Sequence, residues 1–144
     1  QNAGYVLGLQ HLISLLAVMM FKNNQSPYNL VNTDNAMLST AEKFLYELEN
    51  SDEALSVQDY CDRLHISQSY LCRCTLAVIQ LSPQSLIIQH RLYRSLTLLA
   101  DPDLSVKQIS EQLHYLHPSY FSKQFKATFS LTPNEYRNLY YRKP

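Results

Sequence analysis

From about residue 35 onward the apolar residues recur at helical spacing, in segments separated by short polar breaks such as Ser82-Pro83, Asp101-Pro102 and Thr132-Pro133. The pattern predicts helices over about 56–64, 68–79, 84–99, 105–113, 118–129 and 133–141. A further helix precedes them, capped by Asp34 or Asn35, with Ala36, Leu38, Ala41, Leu45 and Leu48 spaced as its buried stripe. Ser67 stands where an N-cap belongs, and Ser82-Pro83 and Thr132-Pro133 each set a cap before a proline at the first helical position. Nearer the start, residues 5–21 are an apolar run interrupted by Gly8, Gln10, His11 and Ser14. That run is short for a membrane span and polar near its middle, so it is expected to be a helix buried in a core or paired with another chain. Residues 22–34 (KNNQSPYNLVNTD) are polar and broken by Pro27, and read as a linker.

The helical pattern repeats. Residues 56–65 (SVQDYCDRLH) are echoed 49 positions later by 105–114 (SVKQISEQLH), and residues 69–73 (SYLCR) are echoed 50 positions later by 119–123 (SYFSK). The second copy therefore has one extra residue in its turn. Each copy is a short helix, a tight turn and a second helix with an exposed Ser/Gln/Arg/Lys face, which is the pattern of a helix-turn-helix whose second helix is free to enter a DNA major groove.

Composition narrows the class without changing it. The 144 residues are 46% apolar, enough for a core, and only two are glycine, so hairpin-rich β architecture is not expected. The formal net charge is zero. Residues 1–50 hold two Lys/Arg against four Asp/Glu, and residues 51–144 hold ten against eight. Binding to DNA would then depend on clustering of the positive charges, with modest and salt-sensitive affinity. Cys61, Cys72 and Cys74 form no disulfide framework and are expected as buried or half-buried thiols in a reducing cytoplasm. His65, His114 and His117 fall in or near the two turns without the spacing of a helical zinc site. No phosphate loop, nucleophile elbow or paired-carboxylate motif occurs, so neither an enzyme nor a cofactor is expected. With Gln1 first and no cationic leader, the sequence is expected to be a piece of a longer protein.

Residues 36–142 resemble the DNA-binding domain of the AraC/XylS (arabinose-regulator) transcription factors. The resemblance rests on Leu104-Ser105-Val106 with Ile109 and Leu113, then residues 119–123 with Phe125-Lys126, Phe129, Thr132-Pro133 and Tyr136-Arg137; Arg91 with Leu98-Leu99 fits the connecting helix. It implies an all-α domain of about seven helices in residues 36–144. Two helix-turn-helix subdomains (about 56–79 and 105–129) are joined by a long helix (84–99), after a linker at 22–35 and an N-terminal hydrophobic helix (1–21) ending a sensor or dimerisation domain. Several positions depart from the family pattern: His114, Gln80 and Ser130 replace turn or loop glycines, Ser110 a small alanine, and Thr75 a packing aromatic. A left-handed turn without glycine costs roughly 1 kcal/mol.

One of Tyr70 and Leu71 must face the core, the pair recurring as Tyr120-Phe121, which leaves Gln68, Ser69, Cys72 and Arg73 exposed in the first copy. The second copy offers Pro118, Ser119, Ser122 and Lys123, with Lys126 one turn on. The resemblance places base contacts at these aligned positions. Arg73 suits guanine O6 and N7, Lys123 suits guanine or phosphate, Lys126 the backbone, and Pro118 a thymine methyl. The expected function is sequence-specific promoter binding by a bacterial, cytoplasmic regulator. The resemblance implies activation through RNA polymerase, and a small-molecule effector, if there is one, on a preceding domain. Dimerisation is expected through Leu9, Leu12, Leu16 and Met20. Two alternatives stay open: a protein-interaction module of the same fold that has lost DNA affinity, and a membrane-tethered regulator with 5–21 as the tail of a span.

Overall fold

The computed structural model describes residues 35–141, and the expected helix and dimer contact at 5–21 lie outside them. Among the described residues the chain forms seven α-helices and no strand: α1 (Asn35–Asn50), α2 (Val57–Leu64), α3 (Gln68–Ile79), α4 (Pro83–Leu99), α5 (Val106–Gln112), α6 (Pro118–Phe129) and α7 (Pro133–Tyr140). The chain divides into two compact units, with the boundary inside α4 between Ile88 and Gln89.

Local chemistry explains where the helices begin. Ser56 caps α2 with a full capping box: its Oγ accepts from Asp59 N at 3.2 Å while its own N–H donates to Asp59 Oδ2 at 2.7 Å. The Asp59 carboxyl is held below its ordinary range chiefly by the Ser56 side-chain hydrogen bond. The same device recurs 49 residues on, where Gln108 N donates to Ser105 Oγ at 3.1 Å and Gln108 Oε1 accepts from Ser105 N at 2.8 Å. Ser67 caps α3 through Tyr70 N, Ser82 caps α4 through Ser85 N, and Thr132 caps α7 in a box with Glu135. Helix α6 starts differently: its N-cap, His117, makes no side-chain cap bond, and Pro118 supplies a preset φ at the first helical position.

The turns are equally local. His65, Gln80, His114 and Ser130 adopt left-handed φ values of 54°, 64°, 62° and 62°. The glycine replacements expected from sequence at Gln80, His114 and Ser130 do adopt this conformation, and His65 joins them. Each closes a helix end by donating its N–H backwards, Gln80 to Leu76 O at 3.1 Å and Ser130 to Lys126 O at 2.9 Å. Ile66 N bonds Cys61 O and Tyr115 N bonds Ser110 O, which aligns Ile66 with Tyr115. The extra residue of the second copy is therefore Leu116, and it is 93% exposed.

In the first unit Phe44, Leu48, Leu55, Tyr60, Cys61, Leu71 and Ile87 form the buried cluster. The buried face of α1 is Ala41, Phe44 and Leu48, whereas Ala36 is exposed and Leu38 and Leu45 are half-buried, so the expected stripe is turned by one position. Phe44 wins the inner place because its ring meets Tyr60 edge to face, with centroids 5.2 Å apart. Thr75, at the expected aromatic site, is fully buried, and its hydroxyl donates to Cys72 O.

In the second unit Leu92, Leu99, Ile109, Leu113, Phe121 and Phe125 are buried. An aromatic run Tyr115–Phe121–Phe125–Phe129–Tyr136–Tyr140 continues from the core to the end of α7. Arg137 fastens this unit. Its Nε donates to Leu99 O at 3.0 Å, and its terminal nitrogen donates to Leu104 O at 2.7 Å and Asp101 O at 3.3 Å. These are the carbonyls that the end of α4 and the following turn leave without helical partners.

Candidate nucleic-acid interface

Helix α3 is anchored by Leu71, Cys74, Thr75 and Val78, which are buried. Of the expected readers, Gln68, Ser69 and Arg73 are exposed and Cys72 is half-buried. Leu71 is the member of the Tyr70-Leu71 pair that enters the core. Tyr70 stays half-buried, and its ring lies under the Arg73 guanidinium, 5.3 Å from the centroid. That cation–π contact limits the freedom of the arginine without occupying its N–H donors. Gln68, Ser69, Cys72 and Arg73 line one open groove of about 690 Å³, which also takes in Leu76 of α3, Val57 of α2 and Ser82, Pro83 and Gln84 at the start of α4. Leu76 is 48% exposed on this face and sequence reasoning passed over it. The available signal was its offset of 50 from Lys126, which was singled out.

Helix α6 is anchored by Phe121 and Phe125. Ser119, Lys123 and Lys126 are exposed, and Pro118 and Ser122 are half-buried. The Tyr120-Phe121 pair does not act as a pair: Phe121 is fully buried, while Tyr120 is 56% exposed and leans on Tyr115 with ring centroids 6.2 Å apart. Tyr115 fixes the turn from inside. Its hydroxyl donates to Gln124 Oε1 at 2.9 Å, and burial pushes its pKa up to about 12, so it stays a neutral donor.

Charge follows the structural boundary more sharply than any earlier cut. Residues 89–144 carry eight Lys/Arg against four Asp/Glu, while residues 35–88 carry three Lys/Arg (Lys43, Arg63 and Arg73) against seven. Arg63 is bound to Glu53 at 2.7 Å and Glu47 at 3.7 Å, whereas Arg73 makes no ion pair among the described residues. The net balance is therefore four negative charges in the first unit and four positive in the second. Cys61 and Cys74 are buried thiols, and burial pushes that of Cys61 up. Among the described residues no three of His, Cys, Asp and Glu come together as a metal site, and no single helix is long and apolar enough to cross a membrane.

Residues 60–139, more than half of the chain, match the model of a family described as a helix-turn-helix domain. The chain is 30% identical over 133 residues to the Msm operon regulatory protein of Streptococcus mutans, covering 92% of this chain and 47% of that protein. It is 26% identical to the lactose operon transcription activator of Staphylococcus xylosus, covering 95% of this chain and 48% of that one. The chain thus spans about half the length of these curated relatives. Its fold matches a solved AraC-type DNA-binding transcriptional regulator from Chromobacterium violaceum with a TM-score of 0.64 at 23% identity, over 72% of this chain and 94% of the other.

Proposed function

The chain belongs to the AraC-type helix-turn-helix family of DNA-binding transcriptional regulators, and on that premise we propose that it reads promoter DNA in two blocks, one per unit. One observation carries this reading: two copies of the same capped helix, left-handed turn and second helix present the same register positions to solvent. Gln68, Ser69, Cys72 and Arg73 serve the first block, and Pro118, Ser119, Ser122, Lys123 and Lys126 the second. Each recognition helix occupies one major-groove segment, successive segments being about 34 Å apart on straight DNA.

The two blocks are held differently. The first unit's acidic balance makes it dependent on close contacts, with Arg73 bonding guanine O6 and N7. The second unit supplies the phosphate attraction through Lys126 and its surplus of positive charge. The regulator acts in the cytoplasm as an activator that contacts RNA polymerase, dimerises through residues 5–21, and leaves any small-molecule effector to a further domain.

The test is selection of bound duplexes from a random pool, followed by fluorescence polarisation with wild type, Arg73→Ala and Lys123→Ala. The expected result is a motif of two blocks, one relaxed by each substitution. Weak, featureless binding that neither substitution changes would reject the reading. It would favour the alternative suggested by the acidic first unit, a protein-interaction module.

A further inference from the structure

At about 100° per residue, the open face of α3 runs in the order Gln68, Cys72, Leu76, Ser69, Arg73. Cys72 and Leu76 lie on its inner part, between Gln68 on one side and Arg73 on the other, and both line the groove. The aligned face of α6 runs Pro118, Ser122, Lys126, Ser119, Lys123. The two copies therefore diverge most in chemistry along this line: hydroxyl and ammonium in α6, thiol and isobutyl in α3. The same groove takes in the apolar side chains of Val57 and Pro83, with Ser82 and Gln84 as polar neighbours at the start of α4.

A helix that enters the major groove meets base edges made almost wholly of hydrogen-bond donors and acceptors, and the exception is the C5-methyl of thymine. An apolar pair flanked by the Gln68 amide on one side and by the Ser69 hydroxyl and Arg73 guanidinium on the other is complementary to a methyl set beside a hydrogen-bonding purine edge. It is a poor match to a run of guanine and cytosine, whose polar edges would lose water against Leu76 without gaining a partner.

We infer that Leu76, with Cys72, is a specificity-determining residue that selects a thymine methyl next to the guanine bound by Arg73. Tyr70 holds Arg73 beside that apolar pair. This inference rests on the two-block DNA reading proposed above and assigns a base type to its first block.

The experiment uses the 144-residue chain and the strongest duplex selected from the random pool. Each thymine is replaced in turn by deoxyuracil, which removes only the methyl. At one or more thymines of the block that Arg73→Ala relaxes, wild type should lose about four-fold in affinity, the worth of one methyl withdrawn from apolar contact. Leu76→Ala should start about four-fold weaker on the thymine duplex and feel no further loss from that uracil. Leu76→Lys with Cys72→Ser, which gives α3 the residues of α6, should be equally indifferent. Leu76 is half-exposed, and helicity by circular dichroism checks that the variants fold. Uracil replacement that is silent throughout the Arg73-dependent block overturns the inference, as does a penalty that persists in Leu76→Ala. In either case a surviving Arg73-dependent block leaves the two-block reading standing. Failure to recover any such block overturns both.

Discussion

Arg137 is the side chain whose removal should be felt furthest from its own position in sequence. Its three hydrogen bonds reach back 33 to 38 residues, to Leu99, Asp101 and Leu104. All three acceptors are backbone carbonyls, and Leu99 is the last residue of α4, where a cation also meets the negative end of the helix dipole. A hydrogen bond from a charged donor is worth roughly 1.5–3 kcal/mol net. The 3.3 Å contact to Asp101 is exposed and weak, and water can reach part of the site once the side chain is gone. The two shorter bonds therefore set the scale, and Arg137→Ala should destabilise the second unit by about 3 kcal/mol. Arg137→Lys keeps the charge but not the planar fork, so one ammonium cannot reach Leu99 and Leu104 together, and about half the loss should remain. Urea unfolding followed by tyrosine fluorescence measures this, the second unit carrying Tyr93, Tyr115, Tyr120, Tyr136, Tyr140 and Tyr141. A loss below about 1 kcal/mol for Arg137→Ala, or full rescue by lysine, would show that the three-carbonyl clasp does not hold this unit together.

Three further outcomes are expected. Gln80→Gly and Ser130→Gly relieve left-handed strain of about 1–2 kcal/mol each against a glycine entropy cost of about 0.5–1, so each should raise the unfolding midpoint; a lowered midpoint would mean that these turns are unstrained. His90 Nε2 is buried without a hydrogen-bond partner among the described residues, and burial, then Arg94 and Arg91, push the imidazole pKa down to about 4. The unfolded chain then binds the extra proton between about pH 6.5 and 4, so stability is full above that window and falls through it by about 3 kcal/mol. His90→Leu should flatten the loss, and an unchanged pH profile would contradict it. Lys126→Ala should weaken binding on all sequences alike and reduce the slope of log affinity against log salt by about 1. A change confined to one base position would instead make Lys126 a base reader.

What the sequence determined by itself is whatever is settled within a few residues. Capping boxes span three positions, a proline fixes its own φ, and helical periodicity needs only one turn. The duplication and the helix starts at Ser56, Ser67, Ser82, Ser105 and Thr132 were therefore legible from the residues alone, whereas the turns at Gln80, His114 and Ser130 were marked by the family resemblance and the left-handed His65 by neither. The tertiary structure decided everything that depends on which distant surfaces meet. Phe44 displaced the expected stripe of α1 because Tyr60, 16 positions later, offers its ring edge to it. Leu71 and Phe121 entered the cores while Tyr70 was left under Arg73 and Tyr120 in solvent, a choice that the adjacent pairs could not make locally. The uneven division of charge was visible in the sequence, but its full size, four negative against four positive, had to wait for the boundary inside α4. Propensity and capping act along the chain, whereas burial and net charge per unit are properties of a surface, and a surface exists only once the helices have packed.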